Sequence, residues 1–338
     1  MTELVRPQLI NGPFSDPGLY IQFLFERRAM MFDLGDTAPL SARQLLAVSH
    51  VFVSHAHMDH FAGFDRLLRI CLGRDLRVHI FGPSGFLDRV EHKLAGYTWN
   101  LVQNYPADFT IVATELQDDG RADTAEFHVR TAFRREAVKS LMVSNGVLVD
   151  EEGFRIRAAV LDHGIPCLGF AFEEKLRINV RKDALARLGL PVGPWLAELK
   201  AAVRQELPDR SSFRVWWRDE RALHERFVAL GDLKAGILQM TPGRKVAYVT
   251  DVSWNLNNVA RIAELAHGAD ILYIEAPFLE EDTALAAAKR HLTAAQAGRL
   301  ARRAGAKRLV PFHFSPRYAD REALLRAEAE RAFACQEA

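Results

Sequence analysis

Ser54-His55-Ala56-His57-Met58-Asp59-His60 follows directly on the apolar run Val51-Phe52-Val53, so three histidines and a carboxylate crowd into the loop leaving a short strand-like stretch. Side chains two positions apart in such a loop can turn to one side. His55 and His57 can therefore grip one cation while Asp59 and His60 turn toward a second. Neutral imidazole and carboxylate are the donors taken by zinc and similar borderline ions, and no cysteine stands nearby, which favours an open hydrolytic site over a closed structural one. The bland alternative is a polar, exposed loop that happens to be rich in histidine. With 12 histidines in the whole chain, three in one such cluster speak for the metal.

Two cations need more donors than this loop supplies, and layered α/β folds gather their sites beyond strand ends. His163 follows a strand ending at Leu161, Asp251 follows one over Val246 to Thr250, and His313 follows Leu309-Val310, each with a glycine or proline close by. A carboxylate such as Asp251 can bridge two metals. Taken singly, a histidine at a strand end is more often a capping or hydrogen-bonded residue; it is the shared position at strand termini that groups these three with the loop.

Around them, short apolar runs alternate with helical patterns, the mark of layered α/β architecture. Strands are expected at 30–32, 51–53, 78–80, 109–112, 154–161, 168–172, 246–249, 271–274 and 309–310. Helices are expected at 61–72, 85–95, 259–266, 284–289, 294–304 and 322–334. At 338 residues with 49% hydrophobic and 26% charged, the chain has ample core and excludes a disordered or low-complexity polymer. A formal charge of +1 provides no global field for a nucleic-acid coat or a membrane-surface binder, so any polyanion site must be local. Cys71, Cys167 and Cys335 form neither a disulfide framework nor a thiolate zinc pattern, which fits a reducing compartment, and Cys71 and Cys167 read as core residues without a redox role. No signal-peptide core or membrane-span-length apolar run is present, making the cytoplasm the expected location, with no membrane partner.

Residues 175–234 differ from the rest. They carry 13 basic against 8 acidic residues, punctuated by Pro191, Pro194 and Pro208 and studded with Trp195, Phe213, Trp216 and Trp217. On composition alone this insertion reads as a charged helical hairpin with solvated faces, its tryptophan pair either packed or available for stacking on bases. Arg299, Arg302, Arg303, Lys307 and Arg308 likewise read as a solvated basic helix face, with phosphate binding as the alternative.

His55-x-His57-x-Asp59-His60 resembles the signature motif of the metallo-β-lactamase superfamily, whose fold is a four-layered αββα sandwich holding one or two metals. Three further segments are similar to those of its ribonuclease Z branch, the tRNA 3′-processing endonucleases: Asp162 to Phe170, Leu188 to Pro194 with Leu199-Lys200 after it, and Phe312 to Tyr318. The likeness runs from about Met31 to Tyr318. It implies a single domain over 1–338 with 175–234 as an arm that clasps the tRNA elbow. It further implies two zinc ions per subunit, with Mn²⁺ or another divalent ion as the alternative, one held by His55, His57 and His163, the other by Asp59, His60 and His313, with Asp251 between them. A water activated by the two metals would attack the phosphodiester, oriented by Asp59, and His291 in His291-Leu292-Thr293 would protonate the leaving oxygen. Asp33 matches an early aspartate that supports the metal loop, and a homodimer acting on precursor tRNA completes what the resemblance implies.

The chain departs from that family where it has Ile274-Glu275-Ala276-Pro277 for His-Glu-Ala-Thr, Thr250-Asp251-Val252-Ser253 for Gly-Asp-Thr-Arg, and Asn11-Gly12-Pro13 for a glycine-rich loop. The expected function is thus a metal-dependent phosphodiesterase cleaving the 3′ trailer of precursor tRNA. The alternatives are a hydrolase of the same fold acting on a small molecule, and an RNA-binding protein that has kept the fold without the chemistry.

Overall fold

Ala29–Phe32 and Val51-Phe52-Val53 are wholly withdrawn from solvent, as strands covered on both faces must be. The computed structural model, which describes residues 4–218 and 222–335, places them at the centre of one of two compact units. The first unit comprises the chain up to Asp150, Arg155–Glu173 and the chain from Arg244 onward; the second comprises Glu151–Phe154 and Glu174–Gly243.

In chain order the elements are β1 Val5–Leu9, β2 Leu19–Phe23, β3 Ala29–Phe32, α1 Ala42–Leu46, β4 Val48–Phe52, α2 Met58–Phe61, α3 Phe64–Cys71, β5 Arg77–Pro83, α4 Phe86–Ala95, β6 Thr110–Leu116, β7 Arg121–His128, β8 Arg135–Met142, β9 Val147–Asp150, β10 Phe154–Asp162 and β11 Pro166–Glu174. There follow β12 Arg177–Val180, α5 Lys182–Arg187, α6 Trp195–Arg204, β13 Ser212–Arg218, β14 Leu223–Ala229, α7 Leu230–Ile237 and β15 Leu238–Thr241. The chain then runs through β16 Lys245–Val249, α8 Leu256–Leu265, β17 Ile271–Glu275, α9 Thr283–Ala288, α10 Ala294–Arg303, β18 Leu309–Phe312 and α11 Glu322–Ala334.

Strands β1 to β8 form one sheet in sequence order, parallel from β3 to β6 and antiparallel on either side. The other sheet runs β18-β17-β16-β11-β10-β9, with β16, β17 and β18 parallel and β11 antiparallel to β16. The sheets meet through aromatic rings: Phe32 stacks on Phe170 with centroids 5.3 Å apart and lies 5.7 Å from Tyr248. On the outer face of the first sheet, Leu67, Leu68, Val90 and Leu94 of α3 and α4 share a core with Val51, Val53 and Ile80. On the outer face of the second, Val259, Leu300 and Leu325 of α8, α10 and α11 pack with Val249, Leu272 and Ile274. Helix, sheet, sheet and helix make the expected four-layered αββα sandwich. Among the described residues no helix is long and apolar enough to cross a membrane.

Most expected elements occur within a few residues of their anticipated bounds, but the helix expected over 61–72 is broken. α2 and α3 are separated at Gly63, whose N–H donates to Leu34 O at 2.8 Å and whose missing Cβ leaves room for the Gly35 carbonyl. That close approach clamps the histidine loop onto the segment after β3. The second unit is not a helical hairpin. β13 and β14 pair antiparallel from Ser212↔Ala229 to Arg218↔Leu223, and Trp195, Leu199, Val215, Leu230 and Leu233 form its core. Trp216 and Trp217 pack partly on that core, and Trp216 Nε1 donates to Glu198 at 3.2 Å. Arg221 of the insertion lies outside the described residues. Cys71 and Cys167 are buried, and burial pushes the Cys71 thiol up to about 11.

Candidate metal centre

Each site-bearing segment begins where a strand ends on the same edge of the sandwich: Asp33 after β3, His55 to His60 after β4, His163 after β10, Asp251 after β16, Glu275 closing β17 and His313 after β18. The donors converge there. His55, His57, His163 and Asp251 offer ligand atoms within 4.8 Å of one another, and so do Asp59, His60, Asp251 and His313. All seven ligand candidates read from the sequence are therefore brought together, with Asp251 common to both groups. Asp251 Oδ2 lies 3.6 Å from His55 Nε2 and from His163 Nε2, and 3.4 Å from His60 Nε2. Its Oδ1 lies 3.0 Å from His313 Nδ1, while Asp59 Oδ2 is 3.3 Å from His313 Nε2 and 3.4 Å from His60 Nε2.

The ring tautomers are set from behind. His60 Nδ1 lies 2.9 Å from Asp33 Oδ2 and His163 Nδ1 lies 2.9 Å from the Arg290 carbonyl; both partners only accept, so each Nδ1 carries the proton. The Nε2 atoms of both rings then point toward the Asp251 carboxylate, an arrangement that repels unless a cation or a proton lies between. His55 Nε2, His60 Nε2 and His313 Nδ1 are buried without a hydrogen-bond partner, a state costing about 1–3 kcal/mol per group. These orphaned nitrogens, converging on carboxylates, fit a divalent metal.

Charge in the cluster follows from burial and neighbours. Burial, reinforced by the adjacent His60, pushes His55 down to about 2, so this imidazole is neutral and available as a donor. Burial alone would raise Asp251, but His313 and His60 outweigh it and hold the carboxyl well below its usual range. Burial would likewise depress His60 and His313, yet Asp251 holds both well above the ordinary value, with Asp33 adding to it at His60. Backbone strain collects here too: Asp33, Asp251, Arg290 and His313 have φ of 60, 44, 60 and 58°, left-handed conformations that cost non-glycine residues of order 1–3 kcal/mol each.

His291 is aimed by two helix ends. The Arg290 N–H donates to Ala287 O at 3.1 Å and the His291 N–H to Ala286 O at 2.9 Å, the paired bonds of a Schellman termination of α9. Two residues on, Thr293 caps α10 in a reciprocal capping box with Gln296. His291 Nδ1 meets Glu275 Oε2 at 2.7 Å, and Glu275 Oε1 accepts the N–H groups of Val252 at 2.9 Å and Leu292 at 3.1 Å. Burial lowers the His291 pKa, but Glu275 and Asp251 together raise it above the ordinary value. With Asp251 and His313 these two residues form a third cluster of metal-binding side-chain types. Sequence reasoning gave Glu275 no role. The available signal was a carboxylate closing the apolar strand Ile271-Leu272-Tyr273-Ile274, where burial demands a partner.

Asp33 is the anchor of the histidine loop. Its Oδ1 accepts the Ser54 N–H at 2.6 Å, and its Oδ2 accepts the Ser54 hydroxyl at 3.0 Å, His60 Nδ1 at 2.9 Å and the Tyr248 hydroxyl at 2.8 Å. Asp33→Ala takes the carboxylate acceptor from four buried donors, of which His60 Nδ1 keeps only the Ser54 hydroxyl at 3.3 Å. The expected loss is about 3–5 kcal/mol of stability, read by equilibrium urea unfolding. Unfolding at the wild-type midpoint would show that the loop is anchored elsewhere.

The family description "Beta-lactamase superfamily domain" matches residues 224–314. A ribonuclease Z of Deinococcus radiodurans is 37% identical over 295 residues, spanning 86% of this chain and 83% of its own. A ribonuclease Z of Enterococcus faecalis is 28% identical over 325 residues, covering 94% of this chain and 87% of its own. Among solved structures, the short form of human tRNase Z superposes with a TM-score of 0.52 over 93% of both chains at 19% identity, which is a likeness of fold. With the Deinococcus protein alike over most of both chains, the protein belongs to the ribonuclease Z family.

Proposed function

We propose that the protein is a metal-dependent endoribonuclease that removes the 3′ trailer of precursor tRNA. The observation that carries this reading is the convergence of His55, His57, Asp59, His60, His163, Asp251 and His313, donors from four separate segments, in a chain whose relatives are named ribonuclease Z. His55, His57 and His163 would hold one zinc ion, Asp59, His60 and His313 a second, and Asp251 would touch both; Mn²⁺ is the alternative occupant. Such a pair supplies a hydroxide nucleophile near neutral pH and offsets charge developing on the phosphate.

The chain's own groups do the rest. Asp59, whose side chain is 40% exposed, would orient the attacking water and accept its proton. His291, backed by Glu275 on Nδ1, is 17% exposed and presents Nε2 to donate a proton to the departing 3′-oxygen. The reading is tested by incubating the zinc-loaded protein with a 3′-extended precursor tRNA and mapping the product end. A single cut just after the discriminator base is expected; an uncut substrate sinks the reading.

The second unit is proposed as the arm that grips RNA by phosphate contacts, recognising shape rather than base sequence. Its support is a surplus of five basic residues over 175–234 in a chain of net charge +1. Deleting 181–226 is expected to raise KM for precursor tRNA roughly 10-fold or more, with steep salt dependence in the full chain. Hydrolysis of bis(p-nitrophenyl) phosphate should be nearly unaffected. An equal loss on both substrates would make the segment part of the structural core. The implied homodimer is checked by sedimentation of the full chain.

A further inference from the structure

One cationic side chain at the rim of the ligand cluster has no role in the site so far. Arg290 lies between α9 and His291 at φ 60°, in the position after a helix where glycine is usual because a Cβ is strained there. Its carbonyl fixes His163, and its side chain runs over the next residue, Gly164. A Cβ on Gly164 would fall 2.5 Å from Arg290 Cδ and Nε and 2.8 Å from Cζ. Arg290 is exposed, and its guanidinium has no hydrogen bond or ion pair with any described residue. The nearby carboxylates are engaged elsewhere: Glu275 by His291, Asp251 and Asp59 by the histidines around them. An arginine thus stands where glycine would relax the backbone, and it lies over Gly164, itself at φ 81°, where no Cβ crowds the guanidinium. Both features leave a free planar cation beside His163 and His291.

We propose that Arg290 binds the RNA phosphate at the cleavage site, an inference that rests on the endonuclease reading above. A guanidinium presents donors in a rigid fork that matches two non-bridging phosphate oxygens, and held beside the ligand histidines it offsets the charge that grows on them during cleavage.

The test uses the zinc-loaded full chain with Arg290→Gly and Arg290→Lys. Arg290→Gly is expected to cut kcat/KM on a 3′-extended precursor tRNA about 10- to 100-fold, the range for a lost charge-assisted contact, with zinc content unchanged and the melting temperature equal to or above that of the wild type. Arg290→Lys should fall between, since an ammonium keeps the charge without the fork. Metal-free protein supplies an independent readout: the log–log dependence of tRNA binding on salt should be shallower by about 1 in Arg290→Gly. Wild-type cleavage and an unchanged salt slope in Arg290→Gly would overturn the proposal, as would a less stable variant that loses zinc, because the arginine would then be a structural piece. If the wild type fails to cut precursor tRNA while Arg290→Gly still loses a salt-dependent RNA contact, the endonuclease reading falls and the phosphate site stands.

Discussion

Asp251→Ala is expected to remove nearly all cleavage of precursor tRNA, by roughly 10⁴-fold in single-turnover rate, and to lower bound divalent metal below that of the wild type. The magnitude follows from what the carboxylate touches. Its two oxygens lie within 3.0 to 3.6 Å of His55, His60, His163 and His313, so no other side chain is common to both ligand groups. Without it each group keeps three donors, but the charge that would hold two cations close together is gone. Stabilisation of transition-state charge by metals is worth several kcal/mol, and each 1.36 kcal/mol is tenfold in rate. Asp251→Asn sharpens the test, because the amide keeps the volume and one acceptor oxygen while removing the charge. Elemental analysis beside the kinetics separates the causes: a variant with full zinc and full activity would show that Asp251 is not the shared ligand.

The parts of this site that were legible in the sequence are those in which chemistry and chain position coincide. The cluster from His55 to His60 is contiguous, so its donors announce themselves without any knowledge of the fold. His163, Asp251 and His313 could be grouped because each follows an apolar run, and the sandwich does bring those strand ends to one edge. What stayed hidden depends on tertiary approach. The break between α2 and α3 arises where Gly63 meets the carbonyl of Gly35, a contact between segments 28 positions apart that no helical periodicity encodes. Glu275 stood just beyond an expected strand, and only its burial against the Val252 and Leu292 amides gives it a task. The left-handed backbones of Asp33, Asp251 and His313 are equally silent, since aspartate and histidine enter that region more often than most residues yet too rarely for the residue type to announce it. In the second unit, the basic residues drew attention to helix and away from Phe213, Val215, Trp216, Phe227 and Val228, whose aromatic and β-branched side chains favour the hairpin that forms.

His291→Ala should separate proton delivery from metal binding. Turnover of precursor tRNA is expected to fall about 10²- to 10⁴-fold, the usual worth of a positioned acid, while zinc content stays at the wild-type level. The prediction rests on orientation: Nδ1 is fixed by Glu275 at 2.7 Å, so Nε2 is the nitrogen left to face substrate. The leaving group decides whether that proton matters. Cleavage of RNA expels a 3′-alkoxide, which needs protonation as it departs, whereas bis(p-nitrophenyl) phosphate expels a stabilised phenolate that leaves unprotonated. His291→Ala should therefore be slow on precursor tRNA and nearly normal on the aryl ester. Glu275→Gln should show the same substrate contrast in weaker form, because the imidazole keeps a hydrogen-bond partner but loses the carboxylate that favours its protonated state. Equal losses on both substrates, or a fall in zinc, would place His291 among the ligands, which its membership in the third cluster with Asp251 and His313 makes the sharpest rival.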